Sequence, residues 1–509
     1  MPVWVTTAGE AAERDRSAIE SGTSSRVLMQ RAGRAAADEI ARRYAGRMAK
    51  GVAVFTGPGN NGGDGWVVAR ELAAAGVAVT VVEAAPPKSP DAAAEKRDAF
   101  SAVTQAGSVG EAGIAVDALL GTGSSGEPRG ELGAGVDALA GLRARGVAIV
   151  SLDVPTGLDA TTGAHSERCV NADLTLSFGG IKRGHLLARD RCGKIVVLDI
   201  GLPAPADAGS HSPLPMLVDE PFVKRGIPPL RYDSHKGSRK HLAVVGGGAG
   251  MAGAAVLATR AALRSGIGLV RVIVAPESLT AVVGAVPAAM VSDWSNASGA
   301  SRAINGWADA IVIGPGLGKS HHTRDLIERI LRDSTLPVLL DADGLNVFEN
   351  ETDVLSGLLA GRAALLTPHP AEFARLAGTN VKTVLDSRFE IGQDLAKKLN
   401  VTILLKGTPT TIFSPHGQRF VSPRGTAALA TGGSGDILAG IAGTLLAQTA
   451  DPVMSATCAA WIHGRAAELC GYVRGTTLDD VLYALPRAWN EMSPQLREPV
   501  LAELPEMQL

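Results

Sequence analysis

Aromatic side chains make up only 4% of the 509 residues, and cysteine occurs four times. So few rings exclude an extended base-stacking surface for nucleic acid. Cys169, Cys192, Cys458 and Cys470 form no C-x-x-C pair and no metal-ligand spacing, so free thiols are expected rather than a disulfide framework or a structural zinc. No apolar run reaches about 18 residues, the length a membrane-spanning helix needs. Charge is not in excess either. The 49 basic and 51 acidic residues leave a formal charge of −2, which offers no field for a polyanion or an acidic membrane. The opening MPVWVTTAGEAAERDRSAIE carries acids early and no apolar stretch, unlike a secretory or mitochondrial leader, so a cytoplasmic location is expected.

What the chain has is glycine, 61 residues of it, within a 46% apolar composition. The length asks for two or three domains. Residues 8–20 and 25–45 read as helices, the second with Leu28, Ala32, Ala36 and Ile40 on one face. A strand at 52–57, a turn at 58–65 (PGNNGGDG) and a helix at about 66–75 follow. Asn60, Asn61 and Asp64 make that turn more polar than a plain phosphate loop requires. Strands at 77–84, 114–121 and 147–155 continue the rhythm, with Asp117 inside an apolar run and Asp153 at a strand end. A buried carboxylate such as Asp117 is costly unless paired or coordinating a cation. In an open α/β sheet the strand C-termini line the ligand crevice, so these acids, the 57–65 turn, the 121–127 loop and Thr156 are expected to converge there.

Residues 202–217 (LPAPADAGSHSPLPML) interrupt the rhythm and read as a linker. Beyond it, apolar strands at 241–246, 270–276, 308–318, 337–346, 364–372 and 401–407 end in polar, Gly or Pro residues, and 410–422 reads as a hairpin. Runs this apolar suit a parallel sheet covered on both faces. The set closes on TGGSGDILAG (431–440), where Gly432, Gly433, Ser434 and Gly435 lead into an apolar helix. Backbone amides at a helix start form an anion hole, and phosphate is its usual occupant. Asp436 is then either a helix cap or the base for an attacking hydroxyl. The Gly-Gly-Ser-Gly-Asp order favours the base.

GPGNNGGDG, VDALLGTG, LDVPTGLDATTG and ADLTLSFGGIKRG resemble the YjeF N-terminal family, the NAD(P)H-hydrate epimerases, over about residues 8–205. The resemblance implies a Rossmann-like three-layer α/β/α domain, taken as residues 1–210. It implies a potassium ion held by Asn61, Asp117 and Thr156. Substrate contacts would come from Asn60, Asn61, Gly62, Gly63, Asp64, Gly121, Thr122, Gly123, Ser124, Ser125, Gly126, Glu127 and Asp153. The family's Met-Glu-Asn-Ala-Gly stands here as MQRAG, with Gln30 and Arg31 in place of an acid and an amide.

HKG (235–237), GPGLG (314–318), DADGLN (341–346), TPHPAE (367–372), LLKGTPT (404–410) and GGSGD resemble the YjeF C-terminal family, the ribokinase-like NAD(P)H-hydrate dehydratases, over roughly 220–495. The implied α/β domain is taken as 220–509. Ala254, Gly316, His369 and Asp436 would contact the hydrate, and Lys406, Gly407, Thr408, Pro409, Thr410 and Gly435 the adenine nucleotide. For His369 a turn-capping role competes with that one. His463 reads as packing. Asp341 and Asp343 are candidates to serve Mg²⁺ indirectly, or turn formers.

Together the resemblances imply a bifunctional repair enzyme. One half interconverts the C6 epimers of NADHX or NADPHX, with Asp153 as the acid–base carboxylate. The other dehydrates the S form at the expense of ADP, giving AMP and phosphate. Potassium, Mg²⁺ and ADP are the implied cofactors. A homo-oligomer is expected, with no nucleic-acid or membrane partner. Ribokinase-like motifs alone leave a true small-molecule kinase open, and the first half could be a binding module, although Asn61, Asp117, Asp153 and Thr156 argue against that.

Overall fold

The computed structural model describes residues 2–205, 214–491 and 495–507. They form two compact α/β units: 2–205 together with 495–507, and 214–491. Among the described residues no helix is long and apolar enough to cross a membrane.

The first unit carries an eight-stranded sheet in the order Val500–Leu504, Lys194–Leu198, Leu174–Phe178, Ala148–Leu152, Ile114–Ala118, Val52–Thr56, Val79–Glu83 and Thr104–Gln105. All pairings are parallel except that of the outermost strand, Val500–Leu504. The central strands are buried along their whole length because helices cover both faces. Val54, Val116 and Val150 pack with Ile40, Trp66 and Leu72 on one side. Ala53, Phe55, Ala115 and Ile149 pack with Val136, Leu139 and Leu142 on the other. A short parallel bridge joins Val5–Thr6 to Ile181–Lys182.

Three expectations change. The helix expected from about 66 begins at Asn60, so the glycine-rich stretch is its first two turns rather than a free loop. Those glycines serve close packing: a Cβ on Gly62 would lie 2.0 Å from the Gly57 carbonyl oxygen, and one on Gly65 2.5 Å from the Ala118 Cβ. The linker expected at 202–217 falls partly on residues 206–213, outside the described residues, and its end, Met216–Leu217, is a strand paired with Arg419–Ser422. The boundary expected at 220–509 also shifts, since Val500–Leu504 pairs with Lys194–Leu198 and so belongs to the first unit.

The second unit carries a ten-stranded sheet, from Met216–Leu217 through Arg419–Ser422, Thr410–Phe413, Thr402–Leu405, Ala364–Leu366, Val338–Leu340, Ala310–Ile313, His241–Val245 and Leu269–Val274 to Met290–Asp293. The expected hairpin is present as the antiparallel pairing of Thr410–Phe413 with Arg419–Ser422, and a second antiparallel pairing joins it to Thr402–Leu405 in an otherwise parallel sheet. The helix Ser434–Thr449 is buried almost all round. Gly440 and Gly443 allow this, since a Cβ would come within 2.1 Å of the Ala258 oxygen and 2.3 Å of Val312 Cγ2. Backbone contact this close fixes the height of the helix N-terminus above the strand ends.

The C-terminal strand yields a stability test. Val500 and Leu504 are buried, and Glu503 pairs with Arg43 at 2.6 Å and with Lys194 at 3.2 Å. Losing the two apolar side chains removes roughly 3–6 kcal/mol, and a unit of this size shifts by about 2–4 °C per kcal/mol. Deleting residues 495–509 is expected to lower the first unit's calorimetric transition by at least about 6 °C and to leave the second unit's in place.

Candidate active sites

In the first unit the strand C-termini border a cavity of about 650 Å³. Asn60, Asn61, Asp64, Gly121, Thr122, Gly123, Ser124 and Asp153 line it, as the sequence suggested. Gly62 and Gly63 do not. They face inward, Gly63 against the Met29 sulfur. Ser125, Gly126 and Glu127 also lie outside its lining.

Asp153 holds a left-handed backbone, φ 60°. For a residue with a side chain such a conformation costs on the order of 1–3 kcal/mol. The turn is closed by the Asp153 amide on the Leu176 carbonyl and the Val154 amide on the Leu152 carbonyl, both at 2.8 Å. Its carboxylate takes a short, charge-assisted hydrogen bond from the buried Lys182 ammonium. Lys182 also donates to Ser177 Oγ and the Phe178 carbonyl, both at 3.1 Å. Burial disfavours the Asp153 charge, but Lys182 outweighs it and holds the carboxyl below its usual range. His185, buried beside them, is pushed down to about 3 by burial and the Lys182 charge, so it is neutral. Sequence reading missed Lys182, His185 and the cavity-lining Asp15. A lysine in the apolar run LTLSFGGIK was the available signal.

Asp117 lies beneath the cavity floor, fully buried. Its carboxylate accepts from the Thr156 hydroxyl (2.7 Å) and amide (2.9 Å), Ser151 Oγ (2.9 Å) and the Leu119 amide (3.3 Å). Hydrogen bonds therefore supply much of the compensation that its burial demands, although burial still holds its pKa above the usual value. Asn61 donates to the Leu120 carbonyl at 2.9 Å, and its own buried Oδ1 has no partner. The MQRAG departure is absorbed locally. Gln30 donates to the buried Glu95 at 2.7 Å, which Arg26 and Arg70 also contact, and Arg31 reaches the Ile200 carbonyl at 3.4 Å.

In the second unit Lys406 Nζ donates to Asp341 Oδ1 at 2.6 Å, and Thr367 Oγ1 donates to the same oxygen at 2.9 Å. Gly435 sits over this pair: a Cβ there would be 3.0 Å from the Lys406 nitrogen and 3.7 Å from Asp341 Oδ2. Gly433, φ 95°, begins the helix, where a Cβ would be 3.7 Å from Asp436 Oδ2. The Ser434 amide bonds the Thr431 carbonyl at 3.3 Å. Ser434 thereby drops out of the expected anion hole, which leaves the amides of Gly432, Gly433 and Gly435 as its candidates. Burial and the neighbouring Asp341 raise the Asp436 pKa to about 7. That value suits a general base near neutral pH.

Asp343 is fixed by the Gly318 amide (2.8 Å) and Asn346 (3.2 Å). The Gly314–Gly318 loop meets the Gly246–Gly248 loop, with Gly247 and Gly248 amides on the Pro315 and Gly316 carbonyls at 2.8 and 2.6 Å. Gly316 packs on Ala254, where a Cβ would come within 2.8 Å. His369 takes the capping role: its Nδ1 accepts from the Ala371 and Glu372 amides at 3.1 and 3.3 Å. Its Nε2 lies 3.3 Å from Glu372. Between Lys406 and Thr410 the loop is held by Thr410 Oγ1 on the Gly407 carbonyl (3.0 Å) and by Arg388 on the Thr408 carbonyl. His463 is buried on its helix, as expected, and its Nε2 also lies 3.4 Å from the Ser434 hydroxyl; burial pushes its pKa to about 4.

Gly433 is the N-cap of this helix and no side chain caps it, so the cap expected as one role of Asp436 is not made and the base is left. Asp436→Asn keeps the shape but accepts no proton, so a base predicts a dehydration rate lower by at least about 10²-fold. The stability sign follows from the raised pKa. The folded carboxyl holds its proton to about pH 7 while the unfolded one releases it near 4, so the parent loses stability as pH rises through that window. Removing the carboxylate is expected to raise the second unit's melting temperature more at pH 8 than at pH 5.

Two family models match the chain: the YjeF-related protein N-terminus over residues 25–184 and the NAD(P)H-hydrate dehydratase model over 242–486. A bifunctional NAD(P)H-hydrate repair enzyme Nnr of Moorella thermoacetica is 32% identical, with 99% of each chain covered. One of Salinibacter ruber is 35% identical over 96% of each. Among solved structures, the ADP/ATP-dependent NAD(P)H-hydrate dehydratase of Bacillus subtilis, co-crystallised with ATP/Mg²⁺, is 30% identical with a TM-score of 0.47, covering 53% of this chain and 96% of that one. The chain belongs to the family of bifunctional NAD(P)H-hydrate repair enzymes.

Proposed function

We propose that the first unit interconverts the two C6 epimers of the hydrated reduced nicotinamide nucleotide and that the second dehydrates one of them with ADP as phosphoryl donor. The observation carrying the second activity is Asp436, a carboxyl poised near neutrality beside the Gly432, Gly433 and Gly435 amides. Hydroxide is a poor leaving group. Asp436 accepts the C6 hydroxyl proton as that oxygen attacks the β-phosphorus of ADP, and AMP departs with the electron pair of the broken P–O bond. Phosphate then leaves C6 with its bonding pair, a proton leaves C5, and the C5–C6 double bond re-forms. The three glycine amides stabilise charge on the transferring group, and Lys406 adds a positive charge beneath Gly435.

Mg²⁺ enters with the nucleotide in this reading. Asp341 and Asp343 are engaged by Lys406, Thr367, Gly318 and Asn346, and among the described residues no cluster of three acids, histidines or cysteines could hold an ion. Potassium fits the first unit better, because the buried Asn61 Oδ1 has no partner and lies in the cavity wall. Asn61, Asp117 and Thr156 would hold it, supplying positive charge at the cavity floor.

Mixed hydrate epimers incubated with ADP should return NAD(P)H absorbance completely. A stable phosphorylated nucleotide with no absorbance gain would instead mark a kinase. Exchanging potassium for tetramethylammonium is expected to slow epimerisation by at least tenfold and leave dehydration of the S epimer unchanged. Equal epimerisation rates in both salts would remove potassium from the account.

A further inference from the structure

Asp64 stands apart from the other acids at this site. It occupies the first turns of the helix Asn60–Ala74, is 9% exposed and lines the cavity, yet among the described residues its carboxyl meets no hydrogen-bond donor. The nearby cation is already committed, with Lys182 bound to Asp153, Ser177 and Phe178. Asp15 reaches the same cavity from the helix Ala8–Glu20, which lies outside both family-model matches. Its side chain adds a third carboxyl to a space holding one buried lysine. Arg14 and Lys88 also line the cavity, but the Arg14 guanidinium donates to the Gly179 carbonyl at 2.6 Å. His185, beside Lys182, is neutral.

We propose that Asp64 is the proton donor of the epimerase, acting with Asp153 in the same cavity, and that Asp15 is the positioning group that keeps the donor's proton in place. The inference rests on the epimerase reading above. Two carboxyls whose surroundings drive their proton affinities apart make an acid–base pair. Asp153 accepts the C6 hydroxyl proton as the C6–N1 bond breaks. The bonding pair moves to N1, which takes the Asp64 proton, and C6 becomes an aldehyde carbon. Rotation about C5–C6 presents the other carbonyl face. The steps then run backward: N1 attacks C6 and returns its proton to Asp64, and Asp153 re-protonates the oxygen. The ring closes as the opposite epimer with all protons restored. Burial first, then the charges of Asp153 and Asp15, raise Asp64 well above the ordinary carboxyl range, which agrees with a donor at neutral pH.

The full-length chain tests this. Asp64→Asn keeps shape and hydrogen bonding but has no acidic proton to give, so epimerisation of the R hydrate should fall by at least about 10²-fold. Dehydration of the S hydrate in the same preparation should be unaffected. Asp15→Asn removes a like charge and eases ionisation of Asp64. Its epimerase pH profile should therefore lose activity on the alkaline side at a lower pH than the parent's. A purely structural role for Asp15 would lower the plateau and leave the limb in place. Asp64→Asn within threefold of the parent, or an unmoved limb in Asp15→Asn, overturns the proposal. A parent chain that does not interconvert the epimers overturns the epimerase reading itself, and shows this before any substitution is made.

Discussion

A lysine clamped to an aspartate at strand ends recurs in both units, and the chemistry of each site depends on it. In the first unit Lys182 neutralises Asp153; in the second Lys406 neutralises Asp341 at 2.6 Å. Leaving either acid buried without its lysine would cost on the order of 3–5 kcal/mol. The pairing also commits the local positive charge. A further carboxyl nearby, Asp64 in one unit and Asp436 in the other, is left without a cation of its own, and burial and like charge push its proton affinity up. Each site thus holds one acid bound by a lysine and one, without a lysine of its own, whose charge burial disfavours.

The backbone around these pairs is built for close approach. Gly62 and Gly65 let the helix Asn60–Ala74 lie directly on strand ends, and Gly440 and Gly443 do the same for Ser434–Thr449. Both helices consequently present their N-terminal turns at the sheet edge where the acids gather. In the second unit Gly435 goes further, since any side chain there would press on the Lys406 ammonium. An open backbone over a positive charge receives a transferring phosphoryl group more readily than it would bind a neutral sugar alone.

Much of this was legible in the sequence. Apolar runs ending in polar residues gave the strands of both sheets, because parallel strands covered on two faces admit little else. Residues brought together by strand ends, such as Asn61, Asp153 and Gly121, were readable for the same reason. Four features were not. Lys182 lies 29 positions after Asp153 and meets it only through the sheet. The strand Val500–Leu504 returns to the first unit across the whole second one, a pairing no local pattern encodes. The GPGNNGGDG stretch was read as a polar turn ahead of the helix, and not as its first turns, because glycines serving helix packing and glycines serving ligand approach are identical in sequence. His463 was read as packing on its apolar helix, and only the fold brings it to Ser434.

In the proposed reaction, dehydration proceeds by phosphorylation of the C6 hydroxyl, with Asp436 taking its proton. Hydrate labelled with ¹⁸O in that hydroxyl, turned over with unlabelled ADP, tests it most directly. Transfer to the hydroxyl oxygen predicts that the label appears in the released inorganic phosphate and not in AMP or water. Label recovered in water, with unlabelled phosphate, would show that hydroxide leaves on its own and would contradict the account.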